Sequence, residues 1–330
     1  MNLLDDFRFL PDGARARALD LRMRRSLAES LDHIAERCAG HVRFDVPAIA
    51  GLSQALARGE LLPPSTFGLY SDLVIALSED RLADAEALFV SLACEQPRQG
   101  ATRVIPFDHP GLAAHRERYS RMMGCEPDSD FVILPPSPER AERFERELPQ
   151  AMALMRAATP ALADEFDALV SELVMVSGEE RRGYQFDGGS CYMLWGALFL
   201  NVGLSRSPVA LLEVLAHESA HMLLYGFAAE EALVLNDDDE LYPSPLRIDE
   251  RPMDGIYHAT YVSARMHWAM GRLLESGLLD AAGRDEAGAA READARNFAA
   301  GDEVVRRHGR LTATGDALMS AARAWMASGR

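Results

Sequence analysis

The chain has 330 residues, 48% hydrophobic and 26% charged, with a formal net charge of −17. That length and composition allow a large buried core, and the negative balance argues against nucleic acid, whose phosphates require clustered positive charge. All 34 basic residues are arginine, which excludes Schiff-base chemistry, a pyridoxal-phosphate anchor and a P-loop lysine.

No apolar run reaches the roughly 18 residues of a membrane helix, and Asp5 and Asp6 stand where a signal peptide carries base. Cys38, Cys94, Cys125 and Cys191 show no paired spacing. The cytoplasm is the expected compartment, with no membrane partner.

Helical periodicity predicts a long amphipathic helix over 14–38, carried by Leu19, Leu21, Leu27, Leu31 and Ile34. Pro63 and Pro64 break the chain, and helices follow over 69–77 and 82–93. Residues 102–107 and 131–134 have the β-branched composition of strands. Two helices, 138–157 and 160–172, run into an apolar stretch at 173–176. Gly188 and Gly189 form a turn, and 192–202 reads as a hydrophobic strand. Pro208 opens a helix that stops near Gly226. An acidic loop at 236–240 leads to helices over 253–276, 284–308 and 313–328, with 277–295 at most a flexible connection. The expected fold class is α+β and predominantly helical, with a zincin-like helix at 208–226 beside a small antiparallel sheet. A helical N-terminal region, 1–100, is expected to pack on a metal-binding catalytic domain, 101–330, as one continuous unit.

His217-Glu218-Ser219-Ala220-His221 is an HExxH sequence. Residues four apart lie one turn apart on one face of a helix, so the two imidazoles can grip one divalent metal. Glu218 is rotated off that line, close enough to act on a metal-bound group. A third protein ligand is needed. The metzincin extension is absent, because Leu224 and Phe227 replace its glycine and histidine. Asp249, Glu250, Asp254, His258 and His267 remain. His258 and His267 are nine residues apart, on opposite faces of one helix; His258 is the expected ligand and His267 a surface or packing residue. Glu213, one turn before His217, is either an acceptor for an imidazole N–H or a solvated side chain. Ser190 and Tyr192 could contact substrate or serve structure. The acidic run Asp237–Glu240 reads as a solvated loop.

The segment Arg247, Asp249, Arg251-Pro252 and Gly255-Ile256-Tyr257-His258 resembles a second signature. It is similar to that of the HExxH-type 2-oxoglutarate-dependent peptide β-hydroxylases, iron enzymes of ribosomal peptide biosynthesis. The likeness is specific over roughly 185–275, and Leu246 stands where the family commonly has tryptophan. It implies Fe(II) held by His217, His221 and His258, with 2-oxoglutarate and O2 as cosubstrates, and a precursor peptide, leader and core, as partner. This ligand set departs from the common two-histidine, one-carboxylate triad; Glu218 or Asp254 as a ligand stays open. The implied reaction is hydroxylation of a side-chain β-carbon.

In a chain without lysine, the distal carboxylate of 2-oxoglutarate must meet an arginine fork. Arg265 is the first candidate, two turns beyond His258 on the same face; Arg251 and Arg247 are alternates. The rival expectation is a zinc metallopeptidase in which Glu218 activates water. A non-enzymatic peptide-binding protein is the third reading.

Overall fold

The computed structural model describes residues 6–124, 132–178, 186–244 and 249–329. These form eleven α-helices and six short strands, so the predominantly helical α+β expectation holds. They fall into two compact units, each discontinuous in sequence. One comprises Met1–Leu19, Glu142–Ala168 and Ser205–Arg330; the other comprises Asp20–Ala141 and Leu169–Leu204. The chain crosses between units at 19/20, 141/142, 168/169 and 204/205, and not near residue 100. No described helix is long and apolar enough to cross a membrane.

The second unit holds most of α1 (Gly13–Cys38), then α2 (Val46–Ala57), α3 (Pro64–Ser78), α4 (Leu82–Ala93) and α5 (Arg116–Met123). Helix α2 was not expected, yet its start is written in the sequence. Asp45 caps it by accepting from Ala48 N at 3.0 Å, and proline stands in the first turn. The sheet contains β1 (Arg103–Pro106), β2 (Glu172–Val176), β3 (Gly188–Ser190) and β4 (Ala197–Asn201), in the order β1-β2-β4-β3. Pairs β1/β2 and β2/β4 are parallel, and only β3/β4 is antiparallel. The expected antiparallel sheet is therefore corrected to a mixed one. Long crossovers between β1, β2 and β4 return the chain in the same direction each time. Every residue of β2 and β4 is buried, which suits the apolar runs 173–176 and 197–200 within them.

The strand expected over 192–202 is shorter than its apolar run. Tyr192–Leu194 forms one 3-10 turn, and Gly196 follows at φ +91°, where a Cβ would stand 2.6 Å from Ser171 Oγ. That turn sets the start of β4. Residues 131–134 yield one isolated bridge, Leu134 with Ser177; residue 131 lies outside the described residues.

The first unit contains α7 (Pro160–Leu169), α8 (Pro208–Phe227), α9 (Met253–Glu275), α10 (Ala281–His308) and α11 (Ala313–Ala327). Helix α6 (Pro138–Ala158) enters it from the other unit. A two-residue antiparallel ladder, β5 (Leu241–Tyr242) with β6 (Arg251–Pro252), precedes α9. Helix α9 packs along α10 and against α8. Helix α10 starts at Ala281, where Asp280 accepts from Gly283 N at 2.8 Å, so 281–295 is helical and not the connection expected there.

One buried ionic cluster ties this unit together. Glu165 of α7 takes Arg265 of α9 on one carboxylate oxygen and Arg15 of α1 on the other, the latter at 3.2 Å. All three side chains are fully buried. Other guanidinium Nη–H groups reach chain carbonyls: Arg265 donates to Phe9 O at 2.8 Å, and Arg15 to Leu10 O at 2.9 Å, while the Nε–H of each is buried without a hydrogen-bond partner. Asp12 N also donates to Glu165, at 3.1 Å. The segment 6–12, which lacks regular structure, is thereby held by charge-assisted bonds.

Candidate metal centre

Helix α8 begins at Ser207, whose hydroxyl accepts from Ala210 N at 3.0 Å, with Pro208 in the first turn. It is apolar almost all round, and Leu212, Leu215, Ala216, Ala220, Leu223 and Leu224 are buried. Glu213, His217, His221 and Tyr225 recur every fourth residue as a half-buried polar stripe. The HExxH pair thus occupies the middle of the least covered side of a buried helix.

His217 Nε2 lies 3.1 Å from His221 Nε2. On its other edge, His221 Nδ1 lies 3.0 Å from Nδ1 of His258, which α9 carries across from α8. These two rings are nearly coplanar, with 17° between their planes. His258 Nε2 in turn faces Asp254 Oδ1 at 4.0 Å. The three histidines are therefore brought together, but in a line, with His221 using one nitrogen towards each neighbour. No group of three or more His, Cys, Asp or Glu among the described residues is arranged to hold a metal ion. The expected convergence of three nitrogens is not the conformation seen.

Burial holds the His221 imidazole well below its ordinary pKa, with the neighbouring His217 and His258 acting in the same direction. Burial also lowers His258, against an opposing pull from Asp254. Both are neutral at physiological pH, the form in which imidazole ligates. With its proton on Nδ1, His221 donates to His258 and turns the Nε2 lone pair towards His217 Nε2. Two nitrogens sharing one ion at about 2.1 Å stand about 3 Å apart, which is the spacing of this pair. The spacing of the donor pair is compatible with a shared divalent metal and equally with an N–H···N hydrogen bond. Imidazole stereochemistry also relates the line to a convergent set. A half-turn of the His221 ring about Cβ–Cγ exchanges Nε2 with Cε1, the atom lying between its two present contacts.

Glu218 is 3% exposed, with Oε1 3.9 Å from His217 Nε2. Asp254, Asp249 and Glu250 are exposed. His267 is turned away from the pair, with Nδ1 2.8 Å from Arg291 O on α10 and its ring packed on Trp325. Ser190 on β3 and Tyr192 belong to the other compact unit. In the loop at 236–240, Asp237, Asp238 and Asp239 are solvated, while Glu240 accepts from Tyr242 Oη at 2.6 Å.

The arginines divide sharply. Arg265 was the first candidate for 2-oxoglutarate, but its guanidinium is spent on Glu165 and Phe9 O and is 1% exposed. Two turns past His258, the same helix face has reached α7 and the N-terminal segment, so Arg265 is corrected to a structural role. Arg251 lies on β6, immediately before α9, with its side chain 2.7 Å from Asp249 Oδ2. Its partner carboxylate is exposed. Arg247 lies outside the described residues.

Two residues, one beside His258 and one near Glu213, escaped sequence reasoning. Tyr225 sits one turn past His221, and its ring centroid is 5.3 Å from that of His258. Asp294 on α10 is 2% exposed, and its Oδ2 has no hydrogen-bond partner. Burial, then the nearby charge of Glu213, push this carboxyl up to about 8. Four-residue spacing could have flagged Tyr225; nothing in the pattern of α10 marks Asp294. No protein-family model matches the chain, and no curated protein matches it.

Proposed function

We propose that this chain is an Fe(II)- and 2-oxoglutarate-dependent hydroxylase acting on a side-chain β-carbon of a ribosomally made precursor peptide. The observation that carries the reading is the meeting of the HExxH pair on α8 with the histidine of the Gly-x-x-His segment on α9, through the 3.0 Å contact of His221 and His258. Helix α8 takes the part of a zincin-like active-site helix. His217, His221 and His258 would be the residues that hold the iron. When bound, the iron supplies the redox chemistry that couples decarboxylation of 2-oxoglutarate to insertion of an oxygen atom into a C–H bond.

The chain's own residues do the rest. Burial keeps the His221 and His258 imidazoles neutral. Glu218, beside His217, holds or accepts a proton from a group bound at the pair. Arg251 presents a planar fork to a carboxylate, and neutral imidazoles leave the ion's full charge to attract a dianionic keto-acid. A zinc metallopeptidase using Glu218 as general base shares the HExxH pair, but the second segment ending in His258 favours the oxygenase. Mass spectrometry of a precursor peptide after reaction with anaerobically iron-loaded protein, 2-oxoglutarate and air tests the proposal. Gain of the mass of one oxygen atom is expected; cleavage of the peptide without that gain overturns it.

A further inference from the structure

Helix α8 continues its polar stripe one turn beyond the HExxH sequence, to Tyr225. This ring meets imidazoles from two helices. Its centroid lies 5.3 Å from that of His258, with 39° between the planes. It lies 6.4 Å from that of His221, with 26° between the planes. Tyr225 is half-buried, whereas Leu223, Leu224, Gly226 and Phe227 around it are buried. A large aromatic side chain on the open side of an apolar helix needs some return for being held there. Its ring neighbours include the two imidazoles, whose contact joins α8 to α9.

A hydrogen bond between imidazoles depends on ring direction as well as distance. His258 comes from a different helix than His221, so local α8 geometry alone does not fix its ring. Asp254 is 4.0 Å from its far nitrogen, beyond hydrogen-bond range, and is itself exposed. Gly255, three residues before His258, offers no side chain to pack against the ring. Two aromatic rings neighbour His258: Tyr257, at 6.3 Å and tilted 60°, and Tyr225, nearer at 5.3 Å and the one that also neighbours His221.

We infer that Tyr225 is a positioning residue: its aromatic ring, rather than its hydroxyl, sets the orientation of the His258 ring against His221 and so controls how the third histidine is presented to a metal held by the pair. The affinity arm of the test rests on the metal-centre reading; the ring-proton arm does not.

Three variants separate ring from hydroxyl and from bulk: Tyr225→Phe, Tyr225→Leu and Tyr225→Ala. The first arm follows a downfield imidazole N–H proton signal in metal-free protein, assigned by its loss in His258→Asn. The signal persists in the wild type and in Tyr225→Phe, and is lost or exchanges faster in Tyr225→Leu and Tyr225→Ala. The second arm titrates Co(II) alone and reads its visible absorption. Affinity stays within a factor of about two in Tyr225→Phe and falls about 10- to 100-fold in the other two, as for loss of a group that orients a metal-ligating histidine. Circular dichroism checks each variant's fold, and Tyr225→Leu keeps the test decisive if Tyr225→Ala fails to fold. Equal loss in Tyr225→Phe and Tyr225→Leu assigns the effect to the hydroxyl and overturns the inference. An undisturbed N–H signal in all variants also overturns it. A wild type that binds no Co(II) defeats the metal reading, while the N–H signals still decide the role of Tyr225.

Discussion

His221 and His258 stand 37 positions apart in the chain on separate helices, yet their Nδ1 atoms are 3.0 Å from each other. Burial holds both neutral, so one donates and the other accepts. This contact ties the HExxH sequence to the Gly-x-x-His segment, and the site's behaviour follows from it.

Removing either end of the 3.1 Å pair breaks the donor set. His217→Ala and His221→Ala should each lose tight binding of a divalent metal, measured by calorimetry with Co(II). His258→Ala should weaken binding less than either, because the pair survives. Equal metal affinity in His221→Ala and the wild type contradicts the assignment of the pair.

Arg265 belongs to a buried Arg15–Glu165–Arg265 cluster. Truncating one member leaves buried charge uncompensated, at a cost of about 3–5 kcal/mol. Arg265→Ala should therefore lower the denaturation midpoint markedly in urea. Its KM for 2-oxoglutarate should stay near wild type wherever the protein remains folded. A stable variant with a sharply raised KM would restore Arg265 to the cofactor site.

Arg251 faces the opposite test. Its ion pair with Asp249 has an exposed partner. In Arg251→Ala protein that circular dichroism shows to be folded, KM for 2-oxoglutarate should rise about tenfold or more, as expected when a bidentate carboxylate contact is lost. An unchanged KM removes Arg251 from the proposal.

Asp294 gives stability a pH dependence of defined sign. Its carboxyl is raised from 3.8 to about 8 in the folded protein, by burial first and Glu213 second. Between those values the native state keeps a proton that the unfolded chain has released. Stability is greatest at the acid end and falls by up to about 1.4 kcal/mol per pH unit as pH rises towards 8. Asp294→Asn cannot ionise, so its Tm relative to wild type should climb from pH 5 to pH 9. Parallel curves would exclude a buried neutral acid there.

Much of this was legible in the residues. The i, i+4 spacing of His217 and His221, with Ser207 and Pro208 at the start of α8, specifies a helix carrying both imidazoles on one line. The nine-residue interval between His258 and His267 correctly separates the residue facing α8 from the one facing α10. Three features were hidden for physical reasons. Strand direction depends on crossover paths, and the apolar runs of β2 and β4 mark burial without fixing direction. The apolar run through Tyr192 reads as strand because Gly196's left-handed turn is a backbone property. Arg265 looked available because Glu165, on α7, is indistinguishable in sequence from the solvated Asp164 and Asp167 beside it.

Succinate formation is the most direct test of the central claim. Protein stripped of metal is loaded with Fe(II) without oxygen, then mixed with 2-oxoglutarate and precursor peptide, and succinate is followed as air is admitted. The hydroxylase account predicts succinate only with Fe(II) and oxygen together, one molecule per oxygen atom transferred to the peptide. Oxygen-independent peptide cleavage supported by zinc, with no succinate, would contradict it.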